Sequence, residues 1–207
     1  MSTLVSILLV VAAYLIGAVP WGVVLGNLHG VDVRNQGSGG TGATNTLRLL
    51  GWRVAGSVFL LDFLKGLLPV VVARWLEAPT WAIAAVGVAT VIGHCWPVYI
   101  GFKGGKGMAT SGGAAIGLAW WLVLLLLPMI GIVYLTRYVS LASICAAIVA
   151  PVIAVVVSMM GYLPWSWTIA IGCMGAIIVL QHRSNIQRLL NGTERKFGNR
   201  EAPSTAT

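Results

Sequence analysis

The sequence predicts an all-α integral membrane protein, a bundle of about seven transmembrane helices with the N-terminus outside and the C-terminus cytoplasmic. Composition is the first reason. The 207 residues are 58% hydrophobic and only 9% charged, and the mean hydropathy is +0.91, which belongs to membrane proteins rather than soluble domains. The second reason is that apolar residues come in blocks of about 20, the length a helix needs to satisfy its own backbone across hydrocarbon. The third is that the cations lie between those blocks with a strong bias to one side.

The first block, Leu4–Asn27, has no Lys or Arg ahead of it and is too long for a signal core, so it reads as a retained span. Val54–Leu76 and Trp81–Ile100 follow as two more. The uncharged stretch Met108–Thr136 is long for one helix and short for two, and the loop charges arbitrate. Two crossings, Met108–Leu118 and Trp120–Thr136, put Arg34, Arg48, Arg53, Lys103, Lys106, Arg137, Arg183, Arg188, Arg195, Lys196 and Arg200 together in the cytoplasm and leave Arg74 opposite. A single crossing would separate Arg137 from Arg183–Arg200 and blur the asymmetry. Ser140–Met160 and Pro164–Gln181 complete the set. Residues 1–198 thus form one polytopic domain, and 199–207, ending APSTAT, read as a disordered cytoplasmic tail.

On this topology the net charge of +8 is largely a positive-inside signal. No soluble domain is left to bind nucleic acid. Cys95, Cys145 and Cys173 sit in apolar blocks without metal or disulfide spacing and read as small packing residues.

Polar sequence collects on the cytoplasmic side in four clusters. In Asp32–Arg48, Ser38, Thr44 and Asn45 offer hydroxyl and amide groups, and Arg48 offers a bidentate anion fork. Gly37, Gly39 and Gly42 satisfy G-x-G-x-x-G, but no strand precedes them, so a dinucleotide fold is excluded. In His94–Thr110, Lys103 and Lys106 are threaded among glycines, a composition suited to phosphate. Lys106 is followed by Gly107 and the required first glycine falls on Ile100, so Walker-A geometry fails. The plainer alternatives are a flexible inter-helix loop for the first and a positive-inside anchor for the second.

The third cluster is Arg137 with Ser140 and Ser143, where serines often serve helix contacts only. The fourth is His182–Lys196, in which His182 and Asn185 share one helical face. Asp62 and Lys65 stand apart, three residues from each other deep in a predicted span. They read either as a functional pair or as a self-neutralising packing device.

Read together, the motifs resemble the PlsY family of acyl-phosphate:glycerol-3-phosphate acyltransferases. GSGGTGATNTLR (Gly37–Arg48), DFLKG (Asp62–Gly66), GHCWPVYIGFKGGKGMAT (Gly93–Thr110), SLAS (Ser140–Ser143) and HRSNIQRLLNGTERK (His182–Lys196) occur in family order across nearly the whole chain. One departure is Gly40, where the family usually has asparagine, so that position is left out of the expected site. The resemblance implies seven crossings in a bacterial inner membrane, with the site facing the cytoplasm. It also implies transfer of an acyl group from acyl phosphate to the 1-hydroxyl of sn-glycerol 3-phosphate, giving lysophosphatidate and phosphate, the first step of bacterial phospholipid synthesis.

An acyl phosphate is a mixed anhydride with a good leaving group, so direct attack without an acyl-enzyme is expected, with the protein supplying orientation and charge. There is no H-x-x-x-x-D motif and no G-x-S-x-G elbow. Expected catalytic residues are His182, Asn185, Lys106 and Arg48. Expected substrate-binding residues are Ser38, Thr44, Asn45, Lys103, Gly104, Gly105, Gly107, Ser140 and Ser143. Either His182 or a substrate phosphate takes the hydroxyl proton. No cofactor and no metal are expected, since the clusters offer few carboxylates or thiols. Membrane lipid is an expected partner, and a labile, greasy donor gives a reason for contact with the soluble enzyme that makes it. A transporter for a small phosphorylated anion, or a scaffold for lipid enzymes, are the readings from other classes. The first usually places its site at mid-membrane between repeated halves, and the second leaves the anion loops unexplained.

Overall fold

The computed structural model describes residues 1–198, so the expected tail at 199–207, Arg200 included, lies outside the described residues. Among the described residues all regular structure is helical: α1 (Thr3–Ala18), α2 (Trp21–Leu28), α3 (Ala43–Trp75), α4 (Thr80–Cys95), α5 (Met108–Leu118), α6 (Leu126–Thr136), α7 (Val139–Met159), α8 (Trp165–Gln181) and α9 (Arg183–Leu190). Short 3-10 turns at Val98–Ile100 and Trp120–Leu125 lead out of α4 and into α6.

The first two apolar blocks depart from their expected bounds, each for a local reason. Leu4–Asn27 is broken at Val19 and Pro20. Proline lacks an N–H and pushes the residue before it into extended backbone, and Val19 has ψ 115°. Val54–Leu76 is only the later part of α3, which begins at Ala43 and kinks at Gly51, whose φ of 79° suits glycine. The kink separates the polar Thr44–Arg48 turn from the apolar remainder of α3.

Among the described residues four segments are long and apolar enough to cross a membrane: Thr3–Leu28, Ala43–Trp75, Thr80–Ile100 and Val139–Met159. A fifth results if Trp165–Gln181 and Arg183–Leu190, bent by 58°, are one span. Helix α5 matches the predicted Met108–Leu118, yet its 11 residues reach only about 16 Å at 1.5 Å per residue. Trp120–Thr136 divides into a 3-10 turn and α6.

Small residues hold the helices together. A Cβ on Gly66 of α3 would strike the Thr110 carbonyl of α5, and one on Gly113 of α5 would strike the Phe63 carbonyl of α3. Backbone-to-backbone approach of this kind is how membrane helices gain contact without a hydrophobic drive between them. Far from the polar clusters, Arg74 donates to the Gly117 carbonyl at 2.7 Å and stacks over Trp167 at 5.2 Å. Large apolar side chains such as Leu127, Tyr134 and Met159 face outward, as lipid contact requires.

Candidate active site

The first loop is shaped by Asn45, at the start of α3. Its Oδ1 accepts the Ser38 backbone N–H at 2.8 Å and the Ser38 hydroxyl at 3.1 Å. Its Nδ2 donates to the carbonyls of Val33 at 2.9 Å and Gln36 at 3.2 Å. A buried amide with this many partners is fully used in fixing the loop. Asn45 therefore frames the wall of the site, while Ser38, Thr44 and Arg48 stand on that wall.

The second loop is built differently from a phosphate cradle. The N–H groups of Gly104 and Gly105 donate back to the carbonyls of Cys95 (3.2 Å) and His94 (3.1 Å). Gly104 has no room for a Cβ because the His94 carbonyl fills it, and Gly107 packs against Cys95 Sγ. These glycines bring the loop hard against the end of α4 and leave the Lys106 ammonium as the loop's charged group on the cavity. Lys103 is exposed and is not among the cavity-lining residues.

Lys106 Nζ donates to Asn185 Oδ1 at 2.6 Å, joining segments 79 residues apart. Asn185 Nδ2 donates to Glu194 Oε1 at 2.6 Å, the Ser140 hydroxyl donates to the same oxygen at 2.7 Å, and Arg188 Nε donates to Oε2 at 2.7 Å. Glu194 thus ties the starts of α7 and α9 to Lys106. The strap that carries Glu194 is pinned in turn: Arg137 Nη2 donates to the Phe197 carbonyl at 2.8 Å, and the Phe197 N–H to the Arg137 carbonyl at 2.6 Å.

His182 caps α8 and is buried. Its Nδ1 lies 2.8 Å from the Ile178 carbonyl, which can only accept, so Nδ1 carries a proton and the neutral ring keeps its lone pair on Nε2. Burial, with Lys106 adding to it, holds His182 below the usual imidazole range. Burial likewise brings Lys106 down to about 8, partly offset by Glu194 and reinforced by Arg188 and Arg48. Burial alone would raise the Glu194 carboxyl, but its bonds from Ser140, Asn185 and Arg188 together hold it below the usual range.

These groups line one cavity of about 760 Å3. Arg48, Lys106, His182, Asn185, Ser38, Thr44, Asn45, Gly105, Gly107, Ser140 and Ser143 all reach it, whereas Lys103 and Gly104 do not. Trp52, Phe59, Met108 and Met129 supply an apolar side, and Trp52 and Phe59 are also exposed on the outside of the bundle. Sequence reasoning left out Glu194, Arg188 and His94. The first two lie inside the quoted HRSNIQRLLNGTERK motif, and a lone acid among basic residues was their signal. Among the described residues no three His, Cys, Asp or Glu side chains group as metal ligands.

Residues 7–192 match the family model described as glycerol-3-phosphate acyltransferase. A glycerol-3-phosphate acyltransferase of Rubrobacter xylanophilus is 42% identical, covering 95% of this chain and 98% of its own. One of Aquifex aeolicus is 43% identical, covering 93% and 99%. The fold is similar to crystal structures of PlsY, an integral membrane glycerol 3-phosphate acyltransferase. Its glycerol 3-phosphate form superposes with a TM-score of 0.87 at 42% identity, over 93% of this chain and 96% of that one. Its lysophosphatidic acid form gives 0.85 at the same identity, over 93% and 95%.

Proposed function

Because this chain belongs to the glycerol-3-phosphate acyltransferase family, we propose that it acylates the 1-hydroxyl of sn-glycerol 3-phosphate with acyl phosphate as donor, releasing lysophosphatidate and inorganic phosphate. The observation that carries this reading is the meeting of Arg48, Lys106, Asn185 and His182, from three distant segments, around one cavity with an apolar side open toward lipid. Two anionic head groups need cations, and a fatty tail needs a wall that lipid can reach.

In the reaction the glycerol oxygen attacks the acyl carbonyl, a C–O bond forms, and the bond to the phosphate oxygen breaks. No acyl-enzyme is required. Arg48 with Thr44 holds one phosphate and Lys106 the other, and the Ser38, Ser140 and Ser143 hydroxyls join by turning from their present acceptors, Asn45 Oδ1, Glu194 Oε1 and the Val139 carbonyl. Lys106 and Arg48 stabilise the charge that moves onto the leaving group. Asn185 sets the direction of the Lys106 ammonium. The hydroxyl proton passes to a substrate phosphate or to His182 Nε2. If His182 is the base, the acid limb of kcat/KM disappears in His182→Asn; if the phosphate is, the limb stays near its second ionisation at about 6.

With this function we propose the seven-crossing topology, which would gather the basic loops on one, cytoplasmic face of a bacterial inner membrane. It needs α5, the 120–136 segment and α8 each to cross. Aqueous labelling of single cysteines at positions 106 and 183 tests it, and opposite sidedness would break it.

Purified protein with radiolabelled glycerol 3-phosphate, offered acyl phosphate, acyl-CoA or acylated carrier protein in turn, decides the donor. Lysophosphatidate formed from acyl phosphate alone is the expected result. Product from a thioester alone would overturn the donor assignment, and movement of label across vesicles without product would mean a transporter.

A further inference from the structure

Asp62, which borders the cavity, is 2% exposed, and the acyl-transfer step gives it no task. Its Oδ1 lies 2.7 Å from Lys65 Nζ and 3.6 Å from His94 Nδ1. Lys65 also donates at 2.7 Å to the carbonyl of Val19, where α1 stops. Three buried ionisable groups inside a membrane bundle are costly, and packing alone is served better by apolar side chains. Their position relative to the cation loop gives a reason for them.

His94 ends α4 and meets the second loop twice. Its carbonyl accepts the Gly105 N–H at 3.1 Å. Its ring lies so near Gly105 that a Cβ there would strike Nε2. The first loop arrives at the same point, with Thr41 Oγ1 3.1 Å from that Cβ position. The residue after Gly105 is Lys106, whose ammonium reaches Asn185. A line of close neighbours therefore runs from the Asp62 carboxylate, which faces the imidazole at 3.6 Å without a hydrogen bond, through the ring and Gly105 to the cation, and Asp62, His94, Gly105 and Lys106 all border the cavity.

Resting on the acyl-transfer reading, we propose that Asp62 and His94 are positioning residues for the reaction: the carboxylate orients the ring, and the ring sets the height of the loop that carries Lys106. Lys65 is the counter-ion that lets the carboxylate stay charged in a dry place, and its bond to Val19 ties the assembly to the break between α1 and α2. Neither Asp62 nor His94 needs to touch substrate. A displacement of about 1 Å at Lys106 is enough to lower turnover about 10²-fold.

The test compares each change in two backgrounds, wild type and Lys106→Gln, using acyl phosphate and glycerol 3-phosphate with the full chain in detergent. His94→Phe keeps a ring but removes Nδ1. The pair Asp62→Asn with Lys65→Met removes the carboxylate without leaving a lone buried charge. Gly105→Ala removes no polar group and presses on Nε2, so it carries the comparison should either of the others fail to insert. Each is expected to lower kcat/KM about 10²-fold in wild type and by no more than about twofold once Lys106 is already gone. The same factor in both backgrounds would overturn the proposal, because a merely structural role adds to the loss of Lys106. A wild-type chain that makes no lysophosphatidate defeats the acyl-transfer reading instead, so the two failures are distinct.

Discussion

Raising the pH through 8 should switch off the cation of the second loop well before an ordinary lysine would respond. Burial brings Lys106 to about 8, against about 10.4 for a solvated lysine. The ammonium form is then populated to about 90% at pH 7 and about 10% at pH 9. If only that form holds phosphate, kcat/KM falls about tenfold over those two units, while a solvated lysine would lose a few per cent. The sign follows from the group: a lowered lysine pKa means the active, charged form is lost on the alkaline side.

Bound phosphate favours the ammonium, so the limb in kcat should lie at higher pH than the limb in kcat/KM. Initial rates of labelled lysophosphatidate formation from pH about 6.5 to about 9.5, corrected for spontaneous hydrolysis of the acyl phosphate, measure both. Lys106→Arg, whose guanidinium stays charged, should abolish the limb at whatever rate it retains. A wild-type kcat/KM that is flat to the alkaline end, or a limb that persists in Lys106→Arg, would refute the reasoning.

Arg48→Ala removes a charge-assisted anion contact, for which about 1.5–3 kcal/mol, or about 10- to 160-fold in kcat/KM, is expected. The protein should still insert and elute as wild type does, and an unchanged rate would remove Arg48 from the site. Asn45→Ala leaves the Val33 and Gln36 carbonyls without their amide donor. It should destabilise by about 1–3 kcal/mol and speed proteolysis of the 29–42 loop, with no change in cleavage counting against the framing role. Gly66→Val drives side-chain atoms into the Thr110 carbonyl, whereas Gly56 has open space around its Cβ position. The first should cost at least about 1–3 kcal/mol in thermal unfolding and Gly56→Ala almost nothing; equal effects would mean that α3 and α5 are not held by close approach.

The spanning blocks were legible because lipid selects on composition, and an apolar run of sufficient length survives any local irregularity. Their interruptions were less so. Pro20 was in plain view, yet a long apolar window runs through it, and the polar Thr44–Arg48 looked like loop because helical backbone outside lipid leaves no hydropathy signal. Within the site, Lys106, His182 and Asn185 could be read from residue type and helical spacing. Lys106 was expected to be catalytic and Lys103 to bind substrate, yet residue type does not show why only Lys106 lines the cavity, because that depends on the packing of Gly104, Gly105 and Gly107 against α4. A glycine N–H aimed at a ligand and one aimed at a neighbouring carbonyl look the same in a sequence. Glu194 escaped for the opposite reason: an acid in a basic loop reads as surface charge until Ser140, Asn185 and Arg188 are seen converging on it.

The charge arrangement around Lys106 explains how such a site can be both folded and ready. Glu194 pairs directly with Arg188, but Lys106 reaches it only through the neutral amide of Asn185. A direct carboxylate partner would hold the ammonium strongly and leave substrate phosphate to compete with it. An amide satisfies the same donor with less charge, so part of the desolvation penalty remains, which is why Lys106 titrates near 8. Arrival of a phosphate relieves that penalty, and the relief contributes to binding. The same logic limits what Glu194 can be. Its carboxylate holds the walls together by taking up donors from α7 and α9, and neutralising it should loosen those walls while lowering the Lys106 pKa further. Glu194→Gln therefore ought to move the alkaline limb of kcat/KM to lower pH; a shift to higher pH would mean that the carboxylate and the ammonium do not share one electrostatic field.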